Sequence, residues 1–332
     1  MATAKPNWFQ MALTVRGSVL PIILPRIFLF GCIGVLVSLA HASGLLFYSD
    51  TLGDLTNNVA CNLVLGLLLV FRTNTAYERF WEGRKAWGTL VVNIRNLARE
   101  IQVGVMEPDE VARVEKRAAL NWLGAFVIAT KLHLRNQPIA DQLDSLTEPE
   151  VRSVLSQSKN SPLDLLLFVS DYLQQQSQKQ RLDSSQRYIL TELLNNLVEG
   201  LTSCERIAST PMPIAYSIYL KRLIMIYCGL LPFSLVEGLN WWTGAVVALI
   251  SFVLLGVEAI GNEIEDPFGT DPNDLPLDEI CNAVLDTIES AKQFALGSSQ
   301  TVLLEKNSLP NNYPSAKIEM HHSSPPQKIQ EA

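Results

Sequence analysis

Charge is scarce in this sequence. Only 18% of its 332 residues are Asp, Glu, Lys or Arg, against 48% hydrophobic ones, and the mean hydropathy is positive. That balance leans toward a membrane rather than water. The net charge of −7 leaves no basic footprint for nucleic acid, and no basic patch interleaves with aromatic residues. The five cysteines (Cys32, Cys61, Cys204, Cys228, Cys281) are odd in number and widely spaced, several of them in apolar runs. They read as small hydrophobes, with neither a disulfide framework nor a zinc site. Of the four histidines, His321 and His322 sit in a polar tail, where a solvated pair is preferred to a metal site. His41 and His133 lack a ligand partner at helical spacing. A Walker loop, a GxGxxG turn, an HExxH motif and an assignable Ser-His-Asp set are all missing. The chain does not read as an enzyme.

What it has instead is four long apolar runs. Residues 27–47, "IFLFGCIGVLVSLAHASGLLF", carry no charge, and about 20 residues at 1.5 Å each cross the hydrocarbon core. Ala40-His41-Ala42 mimics a signal-peptide cleavage site, but the lead carrying Arg16 and Arg26 is long for one and a second apolar run follows at once. That second run, 55–71, holds Asn57, Asn58 and Asn62 among Leu and Val, which is costly in lipid unless the amides face protein or water. The third and fourth cover 214–237 and 241–260. Basic residues orient them: Arg16 and Arg26 precede the first, Arg72, Arg79, Arg84 and Lys85 follow the second, and Lys221 and Arg222 open the third. All those ends are expected on the cytoplasmic side, with short outer turns near 48–54 and 237–241 and with Trp241 and Trp242 at the far interface. A soluble helical bundle is the competing reading.

Between the two membrane hairpins, the pattern is helical and mostly polar outside. In 184–207, Ile189, Leu190, Leu193, Leu194, Leu197, Val198 and Leu201 share one face, and Ala118–Leu132 reads as a core helix. The chain divides into an N-terminal cytosolic segment (1–26), a first hairpin with its continuation (27–88), a cytosolic helical region (89–210), a second hairpin (211–262), an acidic loop with a helix (263–296) and a tail (297–332). The tail is rich in Ser, Asn, Pro and Gln and is expected to be disordered.

At the cytosolic end of the second run stands "FRTNTAYERFWEGRKAWG", residues 71–88, a dense mixture of Arg, Glu and aromatic side chains. An interfacial belt with ordinary salt bridges would explain it. Yet it closely resembles the signature of the bestrophins, above all of their bacterial and plant relatives. "EIEDPFGTDPNDLPLDEIC" (263–281) is similar to the segment after that family's last membrane helix, and "TPMPIAYSIYLKR" to the approach to its third span. The resemblance covers about 20–296. It implies an all-α integral membrane protein with four transmembrane helices and a helical cytosolic region, five copies surrounding one central ion pathway. The second helix would line an apolar neck. Alignment through Arg72 and Tyr77 puts Thr56, Ala60 and Val64 on the neck stripe, with Asn58, Asn62 and Gly66 as the rival register, and puts Met212 at a second, cytosolic constriction. Arg72, Tyr77, Glu78 and Arg84 are expected to hold the neck helix against the cytosolic helices.

Animal bestrophins bind activating Ca2+ in the acidic segment, and Asp266, Asp271, Asp274 and Asp278 offer suitable oxygens. Here "GTDPNDLP" interrupts the acidic run, so a cap-and-turn role with Asp274 capping a helix near Leu275-Pro276 is preferred to a weak Ca2+ site at Asp266, Asp271 and Asp274, and no cofactor is expected to be required. The implied function is passive conduction of monovalent anions, chloride by default, by a lipid-embedded homopentamer with no nucleic-acid partner. Both termini would be cytoplasmic or stromal, in a plasma or thylakoid membrane. A cation-selective channel on the same scaffold and a non-conducting membrane scaffold are the alternatives.

Overall fold

In a computed structural model, residues 7–15, 17–44, 56, 58–139 and 142–305 are described. Among them no residue is in a strand. The helices are α1 (Trp8–Ala12), α2 (Leu20–Ala42), α3 (Val59–Gly104), α4 (Glu110–Leu134), α5 (Pro149–Gln157), α6 (Ser161–Gln178), α7 (Ser184–Ser209), α8 (Ile214–Leu239), α9 (Thr243–Glu263) and α10 (Leu277–Glu305). Residues 1–292 form one compact unit, described first; of the second, 293–332, the described part is the end of α10. The expected outer turn at 48–54, Asn57 and the tail from 306 onward lie outside the described residues.

Among the described residues, three stretches are long and apolar enough to cross a membrane by length and composition: Leu20–Ala42, Val59–Gly104 and Ile214–Glu263. The last contains both α8 and α9, divided by a 3-10 turn at Asn240–Trp242. Asn240 takes a left-handed φ of 45°, which a short polar side chain tolerates better than most. Its carbonyl accepts hydrogen bonds from Ser38 Oγ (2.8 Å) and Thr243 Oγ1 (2.7 Å), pinning this turn to α2. Trp241 and Trp242 are exposed beside it. The first apolar helix starts about two turns earlier than the uncharged run, because α2 includes Pro21, Pro25 and Arg26. Pro21 fits the first turn, Pro25 stands inside the helix, and a long Arg side chain near a helix end can reach back to the polar boundary.

α2 and α9 run antiparallel through glycine. A methyl group added at Gly34 would lie 2.8 Å from Gly244 Cα, and one at Gly31 would meet Ala248 Cβ at 3.3 Å. Small residues at this crossing let the backbones approach, as suits helices packed without a solvent-driven hydrophobic effect. Around them, Ile23, Phe30, Leu65, Leu69, Leu220, Ile224, Cys228 and Val247 build one apolar core from α2, α3, α8 and α9.

A second, larger core joins α3 to the polar-faced helices. Trp87, Leu90, Ile94, Leu97 and Ile101 of α3 pack with Leu120, Leu123 and Phe126 of α4, Leu165 and Val169 of α6, and Leu190, Leu194, Leu197 and Leu201 of α7. The α7 stripe expected from spacing is buried here, with Leu193 and Val198 at its edge and Ile189 left exposed. α3 alone enters both cores. Its 46 residues form one helix about 69 Å long, so the boundary expected at 88/89 falls inside it. Gly83 is no break either: a methyl there would lie 2.8 Å from Pro267 Cγ, so the glycine admits the turn after α9.

Candidate functional site

The site is built along α3, beginning at its first turn. Asn58 is the N-cap, its side chain accepting from Ala60 N at 2.9 Å, while Asn62 Nδ2 donates to the Thr56 carbonyl at 3.1 Å. These amides close a helix end, where backbone groups lack intrahelical partners. The spacing argument put Thr56, Ala60 and Val64 one turn apart on a helix. Thr56 instead stands ahead of α3, which begins at Val59, and is only 4% exposed.

Beyond the cap, Leu65, Leu69, Arg72 and Ala76 are buried against the rest of the chain. Ala60, Val64, Leu67 and Phe71 are exposed on the other side, Val64 at 51%. This chain leaves a broad apolar face of α3 uncovered, with Val59, Leu63 and Val70 exposed beside the line of Ala60, Val64, Leu67 and Phe71. Gly66 is also exposed, on the flank opposite Val64, with open space where a Cβ would stand.

One turn below, a polar node locks the buried face. The Arg72 side chain is 1% exposed and donates from Nη2 to Glu265 Oε2 at 2.5 Å and to Asn262 Oδ1 at 2.8 Å, with Nη1 against Met212 Sδ. The second oxygen of Glu265 accepts the Met212 backbone N–H at 2.9 Å. One carboxylate therefore holds both α3 and the turn that carries Met212. Asn262 Nδ2 donates onward to the buried Glu258 at 2.8 Å, and Tyr216 Oη donates to the Leu68 carbonyl at 2.9 Å. Two turns further, Arg79 Nε donates to the Glu265 carbonyl at 2.7 Å, and its Nη atoms donate to the carbonyls of Ile207 and Thr210 at the end of α7. A guanidinium there satisfies carbonyls that the helix leaves open and opposes its dipole. The start of α8, the ends of α7 and α9 and the middle of α3 thus meet at Arg72 and Arg79.

A profile of the Bacterial/Fungal Bestrophin protein family matches residues 1–290 of this chain. The chain belongs to that family. This bestrophin is 53% identical over 289 residues to the voltage-dependent anion channel-forming protein alr2987 of Nostoc sp. (strain PCC 7120), covering 87% of this chain and 93% of the relative. To YneE of Escherichia coli (strain K12), named a voltage-dependent anion channel-forming protein, it is 36% identical over 283 residues, covering 84% and 89%. Its fold is similar to the crystal structure of a bacterial bestrophin homolog from Klebsiella pneumoniae, with TM-score 0.72 and 28% identity over 82% of this chain and 98% of the other.

Of the signature residues named from sequence, Arg72 enters the node. Tyr77, Glu78 and Arg84 are exposed on α3, away from it. Met212 is half-buried and joined to Arg72 through both its sulfur and Glu265. The residues that sequence reasoning missed are Glu265, Asn262 and the carbonyl-binding role of Arg79. The signal for Glu265 and Asn262 lay in "NEIEDPFG".

In the acidic segment, Asp274 Oδ2 accepts from Asp271 N at 2.7 Å and Asp266 Oδ1 from Phe268 N at 3.3 Å. Asp274 closes this turn rather than capping α10, which starts at Leu277. Burial pushes its carboxyl up to about 6, and the nearby Asp271, Asp266 and Glu263 add to the rise. Asp278 turns away to Lys131 (2.8 Å) and Arg135 (2.9 Å), which hold its carboxyl below the usual range. Among the described residues, Asp274 Oδ1 and Glu263 Oε2 are buried carboxylate oxygens without a hydrogen-bond partner, which a cation would satisfy. Among the described residues, no three His, Cys, Asp or Glu side chains converge as metal ligands.

Proposed function

We propose that this bestrophin is an anion channel, with chloride the default ion, and that five copies surround the pathway with α3 innermost. The observation that carries the reading is the uncovered apolar face of α3, which includes Ala60, Val64, Leu67 and Phe71, on a helix whose opposite face is packed and fixed by Arg72. A ring of such stripes encloses a neck that water leaves readily when narrow, and passage through it sets flux. The channel performs no bond chemistry. Its work is to lower the cost of moving an ion through hydrocarbon by giving it a wet, partly polar route. The names of the relatives, voltage-dependent anion channel-forming proteins, support the sign of the ion.

Within this scheme Ala60 and Val64 face the axis, with Asn58, Asn62 and Gly66 the rival register. Asn58 and Asn62 already have backbone partners, so they need no neighbouring subunit to satisfy them. Met212 is the candidate for the second constriction, although Glu265 and Arg72 hold it on the packed side of α3. Tyr77, Glu78 and Arg84, exposed on the single chain, meet adjacent subunits. α2, the first part of α3, α8 and α9 span a plasma or thylakoid membrane, with both termini cytoplasmic or stromal, and no cofactor is needed. Purified protein in mild detergent is expected to have the mass of a pentamer. Reconstituted in liposomes with asymmetric chloride, it should give a reversal potential near the chloride equilibrium. Conduction by monomers or dimers would overturn the ring. A reversal potential near the cation equilibrium would establish the cation-selective alternative, favoured by the net charge of −7 and by Glu78 and Glu82 on the exposed side of α3. The absence of any conductance would leave a membrane scaffold.

A further inference from the structure

A cavity of about 400 Å3 lies between α2, α8 and α9, away from the neck stripe of α3. Its polar side is made by Arg26, Lys221, Arg222 and Glu258, and its apolar side by residues that include Phe30 and Met225. Glu258 is buried, accepts from Asn262 Nδ2 at 2.8 Å and faces Lys221 Nζ at 3.7 Å. Among the described residues, neither Arg26 nor Arg222 has a carboxylate in ion-pair range. All three cations are exposed on the single chain; against one committed carboxylate they leave a surplus of two positive charges beside an apolar wall, a surface that suits an anion at a bilayer.

The level of these groups names the kind of anion. Arg26 lies six residues into α2, Lys221 and Arg222 seven and eight into α8, and Glu258 five before the end of α9. Because α2 and α9 are antiparallel, all four sit at one end of the bundle, about 8–12 Å inside the helix ends. With the helix ends at headgroup level, that is the depth at which a lipid headgroup gives way to its acyl chains. A basic pocket between transmembrane helices near the cytoplasmic surface suits an acidic headgroup. We propose that this cavity holds an anionic phospholipid, its phosphate between Arg26 and Arg222 and an acyl chain along Phe30 and Met225. The proposal rests on α2, α8 and α9 crossing the bilayer and is independent of conduction.

The test begins with the unmodified protein in nanodiscs of phosphatidylcholine alone or mixed with phosphatidylglycerol. Phosphatidylglycerol is expected to raise the thermal midpoint and to remain bound in native mass spectra, where phosphatidylcholine does not. In R26Q/R222Q its affinity should fall about fivefold for each cation lost, about 25-fold together. Equal retention of the two lipids by the unmodified protein would overturn the proposal, and so would undiminished phosphatidylglycerol binding in the double variant. Glycerol phosphate giving the same stabilisation as phosphatidylglycerol would assign the cations to a soluble anion and overturn the lipid. If the double variant fails to assemble, the comparison of lipids on the unmodified protein decides alone. A chain that does not insert in vesicles would refute the membrane topology, whereas an inserted chain without lipid preference refutes this proposal only.

Discussion

Replacing Glu265 with Ala removes the one carboxylate that touches both Arg72 and the backbone of Met212. Arg72 is 1% exposed and Glu265 19%, so the guanidinium cannot recover water after the substitution, and Asn262 alone of its side-chain partners keeps an oxygen. Breaking a buried pair from one side costs roughly 3–5 kcal/mol. The partial exposure of Glu265 places the expected loss near the lower end, at about 3 kcal/mol. At about 2–4 °C per kcal/mol for a unit of this size, the thermal midpoint should fall by about 6–12 °C. Glu265→Gln keeps an acceptor for Met212 N or for Arg72, though not the charge, and should lose less. The double variant Arg72→Met with Glu265→Ala separates a charge effect from lost packing. Removing both partners leaves no uncompensated charge, so it should be more stable than Glu265→Ala alone. The assay is thermal unfolding in detergent, followed by tryptophan fluorescence and by survival of the assembled species. A Glu265→Ala variant as stable as the parent, or a double variant destabilised by the sum of the singles, would refute the node.

Other substitutions probe the remaining parts of α3 and the acidic turn. Val64→Ala should raise single-channel conductance and Val64→Phe lower it; if Asn62→Leu blocks flux while the Val64 variants leave it unchanged, the rival register holds. Arg84→Ala should lower oligomer stability before it alters ion preference, and intact pentamers with changed selectivity would contradict a contact role. Asp274 has its folded carboxyl raised by burial to about 6. It therefore adds stability below the unfolded value near 3.8 that is lost as pH rises through about 6. Asp274→Asn should flatten that part of the pH–stability profile and raise the midpoint at pH 7.5; an unchanged profile would exclude the titration.

Helix identity was legible wherever one face repeats. Leu190, Leu194, Leu197 and Leu201 could be assigned to the inner face of α7 from spacing alone, and the apolar runs gave the helices of the smaller core. The start of α3 was harder. Asn58 directly ahead of an apolar run is an ordinary N-cap signal, but a run taken to begin at 55 turned the cap into an unexplained amide within a span. The centre of the site was not legible by periodicity, because Arg72 finds Glu265 193 positions away. Arg79 leaves still less trace, since its partners are main-chain carbonyls that any residue type supplies. The whole-length register of α3 was hidden because its composition changes from apolar to charged at Arg72 while the backbone does not change at all.

That unbroken helix makes α3 a lever with unequal arms. The Arg72 node lies about 20 Å from Val59 and about 48 Å from Gly104. If the helix rocks on the node as a rigid rod, a 2 Å sideways shift at Gly104 moves Val59 by less than 1 Å the other way. The mechanical ratio runs in favour of fine control: coarse motion in the larger core becomes a small, forceful adjustment at the stripe of Ala60 and Val64. In the proposed pentamer, that gearing would set the width of the neck.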